Sequence, residues 1–151
     1  MAKRLNLKSI DNLDRKILKE LQQNARISIS EISRRVSLSA PAVGERILKM
    51  EDEGIIKGYR VQLEYEKIGL PIQAFITFKA VSINHKEFIQ FVRKLKEVQE
   101  CYIVTGNPGA FLKVAVDSTS SLSELIEKLK DFGETNTSII LSKPVDLKII
   151  N

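Results

Sequence analysis

ARISISEISRRVSLSAPAVGERILKMEDEGIIKGY, residues 25–59, is the stretch whose reading decides the fold. Ser28 opens a short helix and Glu31 follows three residues on, the spacing of a capping box. Ile27 and Ile32 stand at the two positions of a hydrophobic staple around that box. The helix pattern runs out near Val36, and Ser37-Leu38 makes a tight connection. Ser39 caps a further helix, Leu38 and Val43 repeat the staple, and Pro41 falls in the first turn, where a missing N–H costs nothing. Two such caps, each worth roughly 1 kcal/mol, fix a rigid corner between two helices. Gly54 stops the second of them, and Ile55 to Leu63 reads as a small hairpin. Upstream, Asp11 caps a helix from Asn12 to about Gln23, with Leu13, Ile17, Leu18 and Leu21 on one apolar face. Three helices followed by a wing is the layout of a winged helix-turn-helix, which sets one helix in a major groove of duplex DNA.

The third helix has two sides. Val43, Ile47 and Met50 recur at i, i+4 and i+7 and face the core. Ala42, Glu45, Arg46 and Lys49 face outward, with Arg46 and Lys49 the best placed for base edges or phosphates. Gly44 inside a helix costs about 1 kcal/mol relative to alanine. Close approach of the helix to a groove explains it, and so does a tolerated weak spot. Arg26, Arg34 and Arg35 are placed to hold phosphates from the second helix and its approach, and Lys57 from the wing. The expected DNA-binding set is therefore Arg26, Arg34, Arg35, Ser39, Ala40, Pro41, Ala42, Val43, Gly44, Glu45, Arg46, Lys49 and Lys57. Glu51-Asp52-Glu53 closes the helix with the wrong sign for its dipole, and the sequence offers no reason beyond solubility or a local salt bridge.

Charge agrees with a polyanionic partner for this half. Residues 1–64 hold 13 Lys and Arg against 9 Asp and Glu, leaving 11 and 10 of the chain's 24 and 19 for the remainder. The basic excess thus sits with the helix-turn-helix. One cysteine, Cys101, rules out an internal disulfide framework and a cysteine-clustered zinc site, and one histidine, His85, rules out a histidine-rich metal centre. Cys101 reads as a small core residue and His85 as a surface one. No acid/base pair, phosphate loop or nucleophile constellation stands out, so no catalytic residue, metal or cofactor is expected. No apolar run reaches the ~18–20 residues that span a bilayer. MAKRLNLKSIDNLDRK lacks an apolar signal core, which makes a cytoplasmic location the default expectation.

Glu64 to Pro71, with Gly69 and Pro71, reads as a linker. Beyond it the pattern alternates. Ile72–Val81 reads as a strand. A helix capped by Asn84, with Glu87 as box partner and an Ile83/Phe88 staple, carries Phe88, Phe91, Val92 and Leu95 on its apolar face. Val98–Thr105 is a strand, Gly106–Gly109 a turn, Phe111–Val116 a strand. Ser120 or Ser121 caps a helix with Leu122, Leu125, Ile126 and Leu129 inward, Gly133 ends it, and Thr135–Val145 is the last strand. The order βαββαβ is ferredoxin-like, with both helices on one face of an antiparallel sheet. The other sheet face also carries apolar side chains, and a second copy is the simplest cover. The expected class is α+β: a winged helix-turn-helix over 1–63, a linker over 64–71, and a ferredoxin-like oligomerisation domain over 72–151.

The runs IDNLDRKIL (from Ile10) and ISEISRRVSLSAPAVGERILKMEDEGIIKGY (from Ile29) resemble the DNA-binding domain of the Lrp/AsnC, or feast/famine, regulators. The run from Arg46, RI-x-KMEDEGIIKGY, is the most specific part, and the resemblance continues through the C-terminal half. It implies a regulator whose partners are double-stranded DNA and itself, as a dimer, tetramer or octamer, with a small-molecule effector bound by the C-terminal domain. Carried onto this chain, the effector site comprises Thr105, Gly106, Asn107, Pro108 and Gly109, with Thr135 and Thr137 matching a Thr-x-Thr pattern. In the family the turn commonly runs Gly-Asp-x-Asp and helps bind an amino acid. Here Asn107 and Gly109 occupy the acidic places, so nothing in the turn neutralises an α-ammonium group. A different ligand, an ammonium partner from elsewhere, or no effector remain open. A sequence-specific regulator is the leading expectation. An architectural DNA-wrapping protein of low specificity is the alternative, and an enzyme or enzyme subunit a third.

Overall fold

A computed structural model of the chain describes residues 10–80 and 85–150. The chain divides into two compact units: residues up to Gln62 together with the stretch from Val145 onward, and Leu63–Pro144.

The first unit holds α1 (Asn12–Gln23), α2 (Ile29–Val36) and α3 (Ala40–Asp52). All three start where the local chemistry places them. The Asp11 carboxylate accepts from the amides of Leu13 and Asp14, both at 2.8 Å. Asp14 reaches back to the Asp11 amide at 3.0 Å, a complete capping box with aspartate in the role of glutamate. Ser28 and Ser39 cap α2 and α3 through the amides of Glu31 and Ala42. Only half of the box expected at α2 forms, because the Glu31 carboxylate turns to Arg34 and Arg35. Ser37 takes the left-handed conformation (φ 57°) that turns the chain between α2 and α3. Gly54 (φ 70°) ends the third helix, and the Ile55 amide returns to the Met50 carbonyl at 2.9 Å. Ile17, Ile32, Val36, Val43 and Met50 form the buried core, with Leu18, Leu21, Ile27, Leu38, Ile47, Ile55 and Ile56 packed against it.

One expectation fails in this unit. Residues 55–63 form no hairpin; the segment runs on without ladder bonds. Tyr59, Val61 and Leu63 alternate with polar residues as a strand would, but none of them forms a ladder with another of the described residues. By packing, the stretch from Val145 onward goes with this unit. The Gln22 side-chain amide brackets the Ile150 backbone, donating to its carbonyl at 3.0 Å and accepting from its amide at 2.9 Å. These two bonds fasten the C-terminal stretch to α1.

The second unit is a four-stranded antiparallel sheet of β1 (Ile72–Ala80), β2 (Val98–Ile103), β3 (Ala110–Val116) and β4 (Gly133–Ile139), in the order β2-β3-β1-β4. Helices α4 (His85–Val92) and α5 (Thr119–Lys130) connect the strands in the ferredoxin-like manner. Period-2 alternation sets the faces. Ala74, Ile76, Phe78, Leu112, Val114 and Val116 point to the helices and bury against Phe88, Val92, Leu122, Leu125 and Leu129. Phe78 stacks on Phe88 at 4.4 Å between ring centroids, and Phe91 on Phe132 at 4.3 Å.

Details depart from expectation here too. Ser118, not Ser120 or Ser121, caps α5, by accepting from the Ser121 amide at 3.1 Å. Gly133 opens β4 instead of ending α5, and β4 stops at Ile139 rather than Val145. A side chain at Gly133 would stand 2.4 Å from the Lys79 carbonyl oxygen, which is why glycine is required there. Cys101 is exposed, not core: edge strand β2 places it beyond the cover of the helices. The expected cap at Asn84, the Ile83 staple and the strand end at Val81 lie outside the described residues, as does the His85 side chain.

Candidate nucleic-acid interface

The outer face of α3 decides what this unit can touch. Pro41, Glu45, Leu48, Lys49 and Asp52 are exposed along one side of the helix, while Val43 and Met50 are buried on the other. Ser39 is exposed at the cap, and Ala40, Ala42 and Gly44 are half-buried. Val43, expected in the contact set, has no exposed surface at all, so its role is packing. Gly44 faces the side chain of Ile29, whose Cδ1 would lie 3.8 Å from an added Cβ. An alanine fits there in ordinary van der Waals contact, so helix packing does not demand glycine.

Arg46 is placed differently from its expected role. Its Nη1 donates to Asp11 Oδ2 and to Asp14 Oδ1, both at 2.7 Å. Asp14 is the buried charged residue of the described core, and Arg46 is its counter-charge. The guanidinium therefore ties α3 to the start of α1. Bonding to Asp14 and then Asp11 raises the Arg46 pKa above its ordinary value. The Asp14 amide and then Arg46 hold the Asp11 carboxyl below its usual range. Leu48, which no charge or motif singled out, takes the outward position; the i, i+3 spacing from Glu45 was the available signal.

Arg35 is likewise committed, to Glu20 at 2.7 Å and Glu31 at 3.0 Å, bridging α2 to α1. Those two bonds, Glu20 first, raise its pKa. Arg34 pairs with Glu31 but its side chain stays 75% exposed, open to an exchange of partners. Arg26, Lys57 and Arg60 are exposed and carry no carboxylate partner among the described residues. Lys49 lies 4.0 Å from Glu53, a weak surface pair. The acidic run now has partners: Glu51 accepts the Tyr59 hydroxyl at 2.9 Å and Glu53 faces Lys49. Partial burial, then the Glu51 bond, pushes the Tyr59 phenol up to about 12.

In the second unit, the expected effector residues fall in the connection between β2 and β3 and on β4. The Gly109 amide donates to the Phe78 carbonyl at 3.1 Å, and the Val104 amide to the Gly109 carbonyl at 2.9 Å. Gly106 (φ 91°) supplies the left-handed turn. Thr105, Gly106 and Asn107 are exposed; Pro108 and Gly109 are half-buried. Thr135 pairs with Phe78 on the other side of β1, and Thr137 with Ile76. Both threonines are half-buried on the helix side, whereas the Gly109 amide is already spent on Phe78. The opposite sheet face is uncovered. Phe75, Tyr102 and Phe111 are 44%, 54% and 36% exposed, flanked by the Lys113–Glu100 and Lys79–Glu134 pairs.

Comparison with known proteins places both units. Residues 10–57 match a family model described as a winged helix-turn-helix DNA-binding domain, and residues 73–150 one described as the Lrp/AsnC ligand-binding domain. The HTH-type transcriptional regulator LrpC of Bacillus subtilis is 30% identical over 92% of this chain and 96% of its own. The leucine-responsive regulatory protein of Escherichia coli is 32% identical over 90% and 87%. Among solved structures, B. subtilis LrpC superposes with a TM-score of 0.86 at 29% identity, over 92% of this chain and 99% of that one. A regulator from Neisseria meningitidis in complex with L-Met superposes with 0.87, also at 29%, over 94% and 96%. A DNA-binding helix-turn-helix, a four-stranded α+β domain and relatives that are themselves transcription regulators leave one conclusion: the chain belongs to the Lrp/AsnC family of transcription regulators.

Proposed function

We propose that this regulator binds DNA sequence-specifically as a dimer or higher oligomer, built through the uncovered face of the β1–β4 sheet. The observation that carries the reading is the division of labour around α3. Arg46 and Arg35 brace the helices, leaving a shaped outer face on α3 and free cations at Arg26, Lys57 and Arg60. Such an arrangement separates phosphate holding from base reading. Of the expected contact set, Ser39, Ala40, Pro41, Ala42, Gly44, Glu45 and Lys49 form the groove-facing end or side of α3, and Arg26, Arg34 and Lys57 hold the backbone. Gly44 then serves close approach, since its neighbour Ile29 would accept a methyl group.

The alternative, an architectural DNA-wrapping protein, uses the same phosphates without base readout. Selection from a random duplex pool separates the two. A regulator binds its selected site about 10³-fold or more tighter than random duplex. A ratio near one would leave only the architectural reading.

The second unit is a ligand-binding domain by family, and its turn points away from amino acids. Neither Asn107 nor Gly109 offers a carboxylate to an α-ammonium group, and burying that charge unpaired is costly. Calorimetric titration with leucine and with methionine is expected to show no micromolar binding. Micromolar affinity for either would mean that the ammonium partner lies outside the turn.

A further inference from the structure

The outer face of α3 has an unusual chemistry for a surface that meets DNA. Its exposed side chains are Pro41, Glu45, Leu48, Lys49 and Asp52: two carboxylates, one lysine facing Glu53, and a leucine. The arginine of this helix is turned away and tied to Asp11 and Asp14. The bidentate arginine contact that reads guanine is therefore not available from α3. Leu48 lies just past the middle of the helix, two residues beyond Arg46, and is 60% exposed.

In the major groove, only thymine presents an apolar group, its C5-methyl, and cytosine presents the exocyclic amine that a carboxylate accepts from. We propose that Leu48 is a specificity-determining residue that packs on a thymine methyl group, with Glu45 accepting from a cytosine amine close by. Residues three apart on a helix stand about 5–6 Å apart at Cβ, so the two reach bases one or two steps apart along the groove. Lys49 with the free cations outside α3 supplies the attraction. This rests on DNA binding through α3.

The test uses the full chain and a site selected from random duplexes. Each thymine in the site is replaced in turn by uracil, which removes the C5-methyl and nothing else. One position per half-site is expected to lose about fourfold in affinity, the weight of one buried methyl-sized group. Leu48→Ala is expected to bind thymine and uracil duplexes alike at that position, while Leu48→Met keeps the preference. A selected site indifferent to uracil everywhere overturns the role of Leu48 and leaves DNA binding intact. So does a Leu48→Ala protein that retains the preference, or one whose oligomeric mass falls, which would make Leu48 a subunit contact. If no site is selected at all, DNA reading by α3 fails and the inference fails with it.

Discussion

Raising salt from 50 to 200 mM is expected to weaken the DNA complex by about 10³-fold. Each subunit offers Arg26, Lys57 and Arg60 without carboxylate partners among the described residues, so a dimer neutralises about six phosphates from these alone. Six released counterions give a slope near −5 in log affinity against log salt, by the relation of roughly 0.9 per phosphate. Arg34 adds to this only by leaving Glu31, and Arg46 and Arg35 add nothing while they hold Asp14 and Glu20. A filter-binding or anisotropy titration over that salt range measures the slope. A slope near −1 would mean that these cations do not face the backbone.

Phe111→Glu is expected to dissociate the oligomer while the subunit stays folded. Phe111 stands on the face of β3 away from the helices, beside Tyr102 and one strand from Phe75. In the lone subunit the new carboxylate meets water. In an interface it is buried without a partner, at about 3 kcal/mol, and two-fold symmetry counts that cost twice. Dimerisation weakens by roughly 10⁴-fold on that estimate. DNA affinity falls with it, because one helix-turn-helix then binds alone. Analytical ultracentrifugation reads the mass, and circular dichroism the fold. An unchanged mass would place the interface elsewhere. Leu112→Glu, one residue on, is a control for the opposite face: Leu112 has no exposed surface, so a charge there unfolds the unit.

The helices of the first unit were legible almost to the residue because caps are local. Asp11, Ser28 and Ser39 each satisfy amides two or three positions away, and such bonds can be read from spacing alone. What the sequence hid was set by partners far along the chain. Arg46 looks like a groove contact until Asp11 and Asp14, more than thirty positions earlier, are folded beside it. Val43 was placed both in the core and in the contact set, and burial settles that it belongs to the core. The wing pattern at Tyr59–Leu63 has the right alternation but no partner strand among the described residues. Cys101 was misjudged because an edge strand exposes side chains that a central strand would bury. Ser118 was passed over for later serines because three candidates stand within four residues, and local chemistry does not rank them.

We propose that paired subunits present two copies of α3 to successive major grooves on one side of the duplex. Half-site spacing tests it most directly. Affinity of the full chain is measured on its selected site with about five, then about ten, base pairs inserted between the halves. The account predicts that half a turn abolishes tight binding and that a full turn restores much of it. Equal affinity at every spacing would contradict it.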